Sequence, residues 1–296
     1  MAICMGVDIG GTSIRRGVPS HEGVTDTARQ PVQQNVGDVI AFIREGVKPG
    51  IQWVGVACAG LVENGVMIKS PNLPWLDGMS EVELSEACGV PVYLFNDMRC
   101  AVEGIIAMYP HWNDYGILNW GSGLAFWVVR DSKIQNHAEA GHVMLTLDRE
   151  APVCGCGQRG HAEAYLGAAP LEAKIREAAR DVGIDLGENL WQTIEDSYRA
   201  GHLWAKQVYN NDYVRPLAAF LASMLAVHHP LRMLIRRGTF ATKRFPIIEE
   251  EVRLAMRSMV MWPGWENLPI HPSPSEYDAL LGAARLAARS YDNRQR

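Results

Sequence analysis

Short apolar runs broken by glycine turns open the chain. Ile3 to Val7 is apolar, Gly10-Gly11-Thr12 turns, and Ile14 to Val18 is apolar again, which predicts a strand, a tight turn and a strand. A helical stretch follows near Val36 to Gly46. Beyond it come a buried-strand candidate at Trp53 to Ala57, the turn Glu63-Asn64-Gly65, and Val66 to Ile68. Val92 to Phe95 predicts another strand, ending on Asn96-Asp97 with a helix from Met98 to Met108 behind it. The pattern then restarts: Gly116 to Trp120 is apolar, Gly121-Ser122-Gly123 turns, and Leu124 to Val129 is apolar. Two such units about 110 residues apart predict a duplicated α/β architecture whose halves face a cleft, each turning backbone amides toward a phosphate. Residues 162–226 read as largely helical, Arg232 to Ile235 as a short strand, and Glu276 to Ser290 as an alanine-rich helix with Gly282 among small residues.

Composition narrows the class. With 296 residues, 48% hydrophobic and 21% charged, the chain suits two globular lobes better than one core. The net charge is −5 with basic residues scattered, so nothing marks a nucleic-acid or anionic-membrane partner, and a small molecule is expected. No run approaches the roughly 18 to 20 apolar residues of a spanning helix, and the N-terminus passes straight to Asp8, so a cytoplasmic protein is expected. Of six cysteines, Cys4, Cys58, Cys88 and Cys100 stand alone in apolar or helical contexts, and only Cys154 and Cys156 cluster.

Three constellations carry chemistry. Asp8-Ile9-Gly10-Gly11-Thr12 sets a carboxylate at a strand end beside two glycines open to an anion and a hydroxyl; such turns also arise from turn geometry alone, but the second loop at Gly121 to Gly123 favours phosphate binding. His142, Cys154, Cys156 and His161 offer two imidazoles and two thiolates, a donor set for tetrahedral zinc. Asn96-Asp97 at a strand end is either a helix cap or a hydroxyl-binding amide beside a general base. His228 and His229 have no such neighbours in the sequence and read as ordinary helix-end histidines.

Together Asp8 to Thr12, Pro71-Asn72, Asn96-Asp97, Gly121 to Gly123, Glu139 to His142 and Cys154 to Glu163 resemble the ROK family of sugar kinases and related repressors, in family order from residue 3 to about residue 287. Ser70 to Pro74 and Gly121 to Phe126 look like the versions in its D-allose kinase members. The resemblance implies an actin-like ATPase (ribonuclease H-like) fold of two lobes, with residues 1–116 plus 280–296 forming the smaller and 117–279 the larger, zinc-bearing one. It implies ATP as donor, Mg2+, a hexose or amino sugar phosphorylated at the 6-hydroxyl, and a homodimer. By position, Asp97 would be the base, and Asn72, Asn96, Glu139, His142 and Glu163, with Gly60, would form the sugar pocket. Asp8, Gly10, Gly11, Thr12, Gly121, Ser122 and Gly123 would bind nucleotide, and His142, Cys154, Cys156 and His161 would hold Zn2+.

Three positions depart from the family pattern. His161 replaces a usual cysteine, Ala125 a usual glycine, and Arg236-Arg237 the first two of a glycine triplet near the adenosine portion of the nucleotide. The arginines either obstruct the nucleotide or grip it, so a non-catalytic sugar-binding protein of the same fold stands beside the kinase reading. A repressor is disfavoured, because the chain begins at the Asp8 loop where family repressors carry a helix-turn-helix region.

Overall fold

The computed structural model describes residues 3–20, 23–32, 34–70, 73–135, 139–229, 231–273 and 275–295. The chain forms two compact units, 1–111 with 274–296 and 112–273. In the first unit the elements run β1 (Ile3–Ile9), β2 (Ser13–Ser20), β3 (Gly23–Pro31), α1 (Val36–Gly46), β4 (Ile51–Cys58), β5 (Leu61–Glu63), β6 (Val66–Lys69), α2 (Glu81–Cys88), β7 (Val92–Asn96) and α3 (Asp97–Met108). The second unit has β8 (Tyr115–Trp120), β9 (Leu124–Arg130), β10 (Lys133–Ile134), α4 (Ala162–Leu166), α5 (Ala168–Asp181), α6 (Leu190–Arg199), α7 (Leu203–Val208), α8 (Arg215–His228), β11 (Met233–Arg237), α9 (Thr239–Lys243), α10 (Phe245–Met256) and β12 (Ile270–Pro272). The last helix, α11 (Asp278–Gln295), belongs to the first unit again.

Each unit holds one five-stranded sheet, and the two sheets are built alike. The first has the order β3-β2-β1-β4-β7 and the second β10-β9-β8-β11-β12. In both, the opening strand is antiparallel to its hairpin partner and parallel to the strand on its other side. The strand–glycine–strand repeat seen in the sequence is therefore the founding hairpin of each sheet.

The inner strands of the first sheet carry glycine where α11 arrives. Gly6 and Gly55 are register partners on β1 and β4. A Cβ at Gly6 would stand 2.2 Å from the Leu280 carbonyl oxygen, and one at Gly55 2.0 Å from that of Ala283. Backbone therefore meets backbone, closer than any side chain permits. The same device joins the two helices, since a Cβ at Gly282 would lie 1.7 Å from the Cys100 carbonyl oxygen and one at Gly104 1.9 Å from that of Asp278. Glu103 on α3 is buried and answered by Arg289 at 2.9 Å and Arg285 at 3.6 Å, both on α11. Across the sheet, Val39, Phe42 and Ile43 of α1 and Leu84 of α2 bury against Met5, Val7, Val54 and Val56. Asn35 caps α1 and Ser80 caps α2, each accepting from an amide three residues on.

Helices cover the second sheet with a larger apolar core. Trp120 is fully buried at the end of β8, its Nε1 donating to the Leu166 carbonyl at 2.7 Å and its ring edge-on to Phe240 and Tyr213. Tyr209 and Tyr213 stack on one another inside a π-helical turn, Tyr209–Val214, that joins α7 to α8. Among the described residues, no helix is long and apolar enough to cross a membrane.

Candidate active site

Three parallel strands of the first sheet end together, and the candidate residues sit at those ends. Ile9 on β1 is in register with Cys58 on β4, and Cys58 with Asn96 on β7. Asp8 precedes this row, and Gly60 and Asp97 follow it. The C-terminal edge of a parallel sheet is where such folds bind ligands, because the loops there can vary without disturbing the strands. Burial first, then the nearby charges of Asp97 and Asp8, push the Cys58 thiol far above its ordinary range. Asp8, paired with Ala57 on β4, and Asp97, next after Asn96 on β7, flank the position of that thiol from the two neighbouring strands.

Each residue of this edge has a structural reason to be there. The Gly10 amide donates to the Ser13 carbonyl at 3.0 Å and closes the turn, while a Cβ at Gly11 would meet nothing within 4 Å. Neither glycine takes a positive φ. Their lack of a side chain leaves open backbone instead. Gly60 does need its φ of +143°, and a Cβ there would lie 2.4 Å from the Lys69 carbonyl oxygen. Asn96 caps α3, its Oδ1 accepting from the Arg99 amide at 3.0 Å while its Nδ2 donates to the Gly60 carbonyl at 3.0 Å. The capping alternative is therefore real, and it leaves the second Nδ2 hydrogen and an Oδ1 lone pair for a ligand. Asp97, half-buried, is the first residue of α3, where the helix amides favour negative charge. Asn72 lies outside the described residues.

The second unit holds the other glycine loop. The Gly121 amide donates to the Gly123 carbonyl at 3.0 Å, and among the described residues no hydrogen bond uses the amides of Ser122 or Gly123. These two donors are what an anion needs. Ala125 is an ordinary strand residue paired with Asn119 and has no positive φ, so the alanine brings no backbone strain. Gly238 follows β11 with φ +90°, and a Cβ there would stand 2.6 Å from the Trp120 carbonyl oxygen, which makes this member of the triplet obligatory. Arg237 Nη1 donates to Asn119 Oδ1 at 3.1 Å, and Arg236 Nη1 reaches the Ala241 and Thr242 carbonyls at 3.4 and 3.3 Å. Both arginines are thus held by the second unit's own groups.

Glu139, exposed, precedes a single 3-10 turn, Ala140–His142, and its carbonyl accepts from the His142 amide at 2.9 Å. His142, Cys154, Cys156 and His161 converge, their ligand atoms all lying within 4.8 Å of one another. Cys156 Sγ is 3.3 Å from His161 Nδ1. Metal–ligand bonds of about 2.0 to 2.3 Å give a tetrahedron with edges of roughly 3.3 to 3.8 Å; the Cys156–His161 separation matches such an edge, and two thiolates with two imidazoles are a zinc donor set that would close on the ion by drawing its widest separations in by about 1 Å. Local geometry makes the convergence possible. Gly157 and Gly160 take φ values of +90° and +78°, and isolated bridges pair Val153 with Arg159 and Met144 with His161. Glu163, on α4 two residues past His161, places Oε2 2.9 Å from the Leu124 amide. That contact was invisible in the sequence, because Leu124 and Glu163 are 39 residues apart and no periodicity links them.

The sheet topology and these clusters define the class. The model of the ROK family matches residues 4–290, and the chain belongs to the ROK family. The glucokinase of Pyrobaculum calidifontis is 28% identical over 300 residues, covering 98% of this chain and 96% of that protein. The crystal structure of ROK hexokinase from Thermus thermophilus superposes with a TM-score of 0.79 at 22% identity, covering 98% and 99% of the two chains. A ROK glucokinase from Streptomyces griseus, in complex with glucose and AMPPNP, superposes at 0.75 with 22% identity and 97% and 99% coverage. The fold is the actin-like ATPase fold.

Proposed function

We propose that this protein transfers the terminal phosphoryl group of ATP to the 6-hydroxyl of a hexose or amino sugar. It is a sugar kinase. The observation that carries the reading is the row formed by the Asp8 loop, Gly60 and Asn96-Asp97 at the C-terminal ends of the three parallel strands of one sheet. The glucokinase relative, and the neighbour holding glucose with an ATP analogue, support the substrate classes.

Phosphoryl transfer asks the protein for position and charge stabilisation more than for covalent chemistry. In this reading Asp97 accepts the proton of the attacking hydroxyl. Asn96, Asn72, Glu139, His142 and Glu163 hold the sugar, and Gly60 leaves room for it. Asp8, Gly10, Gly11 and Thr12 in one unit and Gly121, Ser122 and Gly123 in the other contribute to nucleotide binding. Magnesium neutralises phosphate charge when bound. His142, Cys154, Cys156 and His161 would hold zinc, and with four protein ligands such an ion is structural. Its closeness to Glu139 makes it a brace for a sugar-binding carboxylate. Homodimers in the cytoplasm complete the reading.

The test is ADP release across a panel of hexoses and N-acetylhexosamines with ATP and magnesium. Turnover with at least one sugar is expected. If none turns over while sugar binding persists, the protein is a sugar-binding member of the family that has lost ATP use.

A further inference from the structure

A glycine-rich loop makes a poor phosphate cradle unless something outside it aims its amides, because glycine holds no fixed conformation of its own. In the second unit the loop 121–123 is clamped from α4 and the α4–α5 junction. Leu124 donates its amide to Glu163 Oε2 at 2.9 Å. The same oxygen would stand 2.7 Å from a Cβ at Gly123 and 3.2 Å from one at Gly141, so the carboxylate fills the space that these glycines leave. Ser122 is held next door, its carbonyl accepting from the Ala168 amide at 3.1 Å. Trp120, at the loop's other end, donates to Leu166 on α4 at 2.7 Å. The middle of the loop, Ser122, and the strand residues flanking it, Trp120 and Leu124, are thus held by one short stretch of chain, leaving the Ser122 and Gly123 amides without partners among the described residues.

We propose that Glu163 is a positioning residue for the phosphoryl donor as well as a ligand of the sugar. One carboxylate oxygen holds the Leu124 amide and so sets the loop, and the carboxylate keeps acceptor capacity for a sugar hydroxyl. This rests on the reading of Gly121 to Gly123 as a nucleotide phosphate loop. A residue that touches only sugar has no effect on nucleotide binding when sugar is absent. Glu163 does.

The experiment is calorimetric titration of ADP with magnesium, without sugar, into the unsubstituted protein and the Glu163→Ala, Glu163→Asp and Glu163→Gln variants. Folding is checked by circular dichroism and thermal melting. A hydrogen bond to a charged group, once lost, should weaken ADP by about tenfold in the alanine and aspartate variants, the latter because its carboxylate is one methylene short. Glutamine keeps an acceptor oxygen at the same reach. It should hold ADP affinity within about twofold of the unsubstituted protein while weakening sugar. Should folded alanine and aspartate variants bind ADP as the unsubstituted protein does, with only sugar affinity lost, the positioning role is overturned. If the unsubstituted protein binds no ADP at millimolar concentration, the reading of the loop itself fails and this inference with it. If alanine does not fold, the contrast between aspartate and glutamine decides.

Discussion

Asp97 carries the sharpest test at the scale of a single residue. Asp97→Asn preserves shape and keeps a residue tolerated at the start of α3, but removes the proton acceptor. Turnover should fall by roughly 10²-fold or more while sugar affinity changes by less than about tenfold, measured by steady-state kinetics and calorimetry. Near-normal turnover would remove Asp97 from the role of base. The cysteines give a second test. Burial pushes Cys4 up to about 12 and raises Cys58 and Cys100 well above the ordinary thiol range, so these thiols stay protonated and unreactive at pH 8. Cys156 is exposed. Alkylation of chelator-treated native protein, mapped by mass spectrometry, should label Cys156 early and leave Cys58 and Cys100 unlabelled until denaturant is added. At this scale the sequence reveals residue types but not partners. That Asn96 is a cap follows from its place between a strand and a helix. Its bond to Gly60 depends on the adjacency of β4 and β7, which only the fold supplies.

Among the elements, the metal loop and α11 make opposite demands on packing. Among the described residues between β10 and α4 there is little regular structure, so a bound ion would supply much of their order. About one zinc per chain is expected by metal analysis of protein prepared without chelator, and less than about a tenth of an equivalent would refute the site. With zinc present, Cys156→Ser should lower both the melting temperature and sugar affinity. For α11, backbone contact leaves no room for even a methyl group. Gly55→Ala and Gly282→Ala should each cost about 1 to 3 kcal/mol or more in chemical denaturation, against Ala283 and Cys100 carbonyls that have nowhere to move. Strands with strong apolar cores and the opening hairpins were legible in the sequence, as were α1, α3 and the position of Gly282 among small residues. Strand β3 was not, because it lies at a sheet edge with no buried residue to mark a period of two. Helix α2 buries only Leu84, too thin a stripe to register. Helix α10 buries Phe245, Ile248, Val252 and Met256 at helical spacing, and that signal was present to be read.

At the scale of the molecule, duplication was legible because each half opens with the same hairpin. The number and order of the remaining strands depended on crossovers that sequence alone leaves unspecified. The family's glycine triplet suggested that Arg236-Arg237 either obstructs the nucleotide or grips it. The structure gives both side chains partners within their own unit, and the one glycine that geometry demands, Gly238, is retained. Deleting α11 should expose the faces of β1, β4 and α3 together, so a chain ending before Asp278 should lose the cooperative unfolding of the first unit, followed by calorimetry.

The first unit is assembled from two stretches of chain separated by the whole of the second. A ribosome makes them in that order. The opening sheet therefore leaves the exit tunnel and waits, through the synthesis of more than 150 residues, for the helix that will cover Gly6 and Gly55. The second unit, continuous in the chain, can finish first. During that interval the uncovered strands are a natural target for chaperones, and slowing translation late in the message would lengthen the exposure.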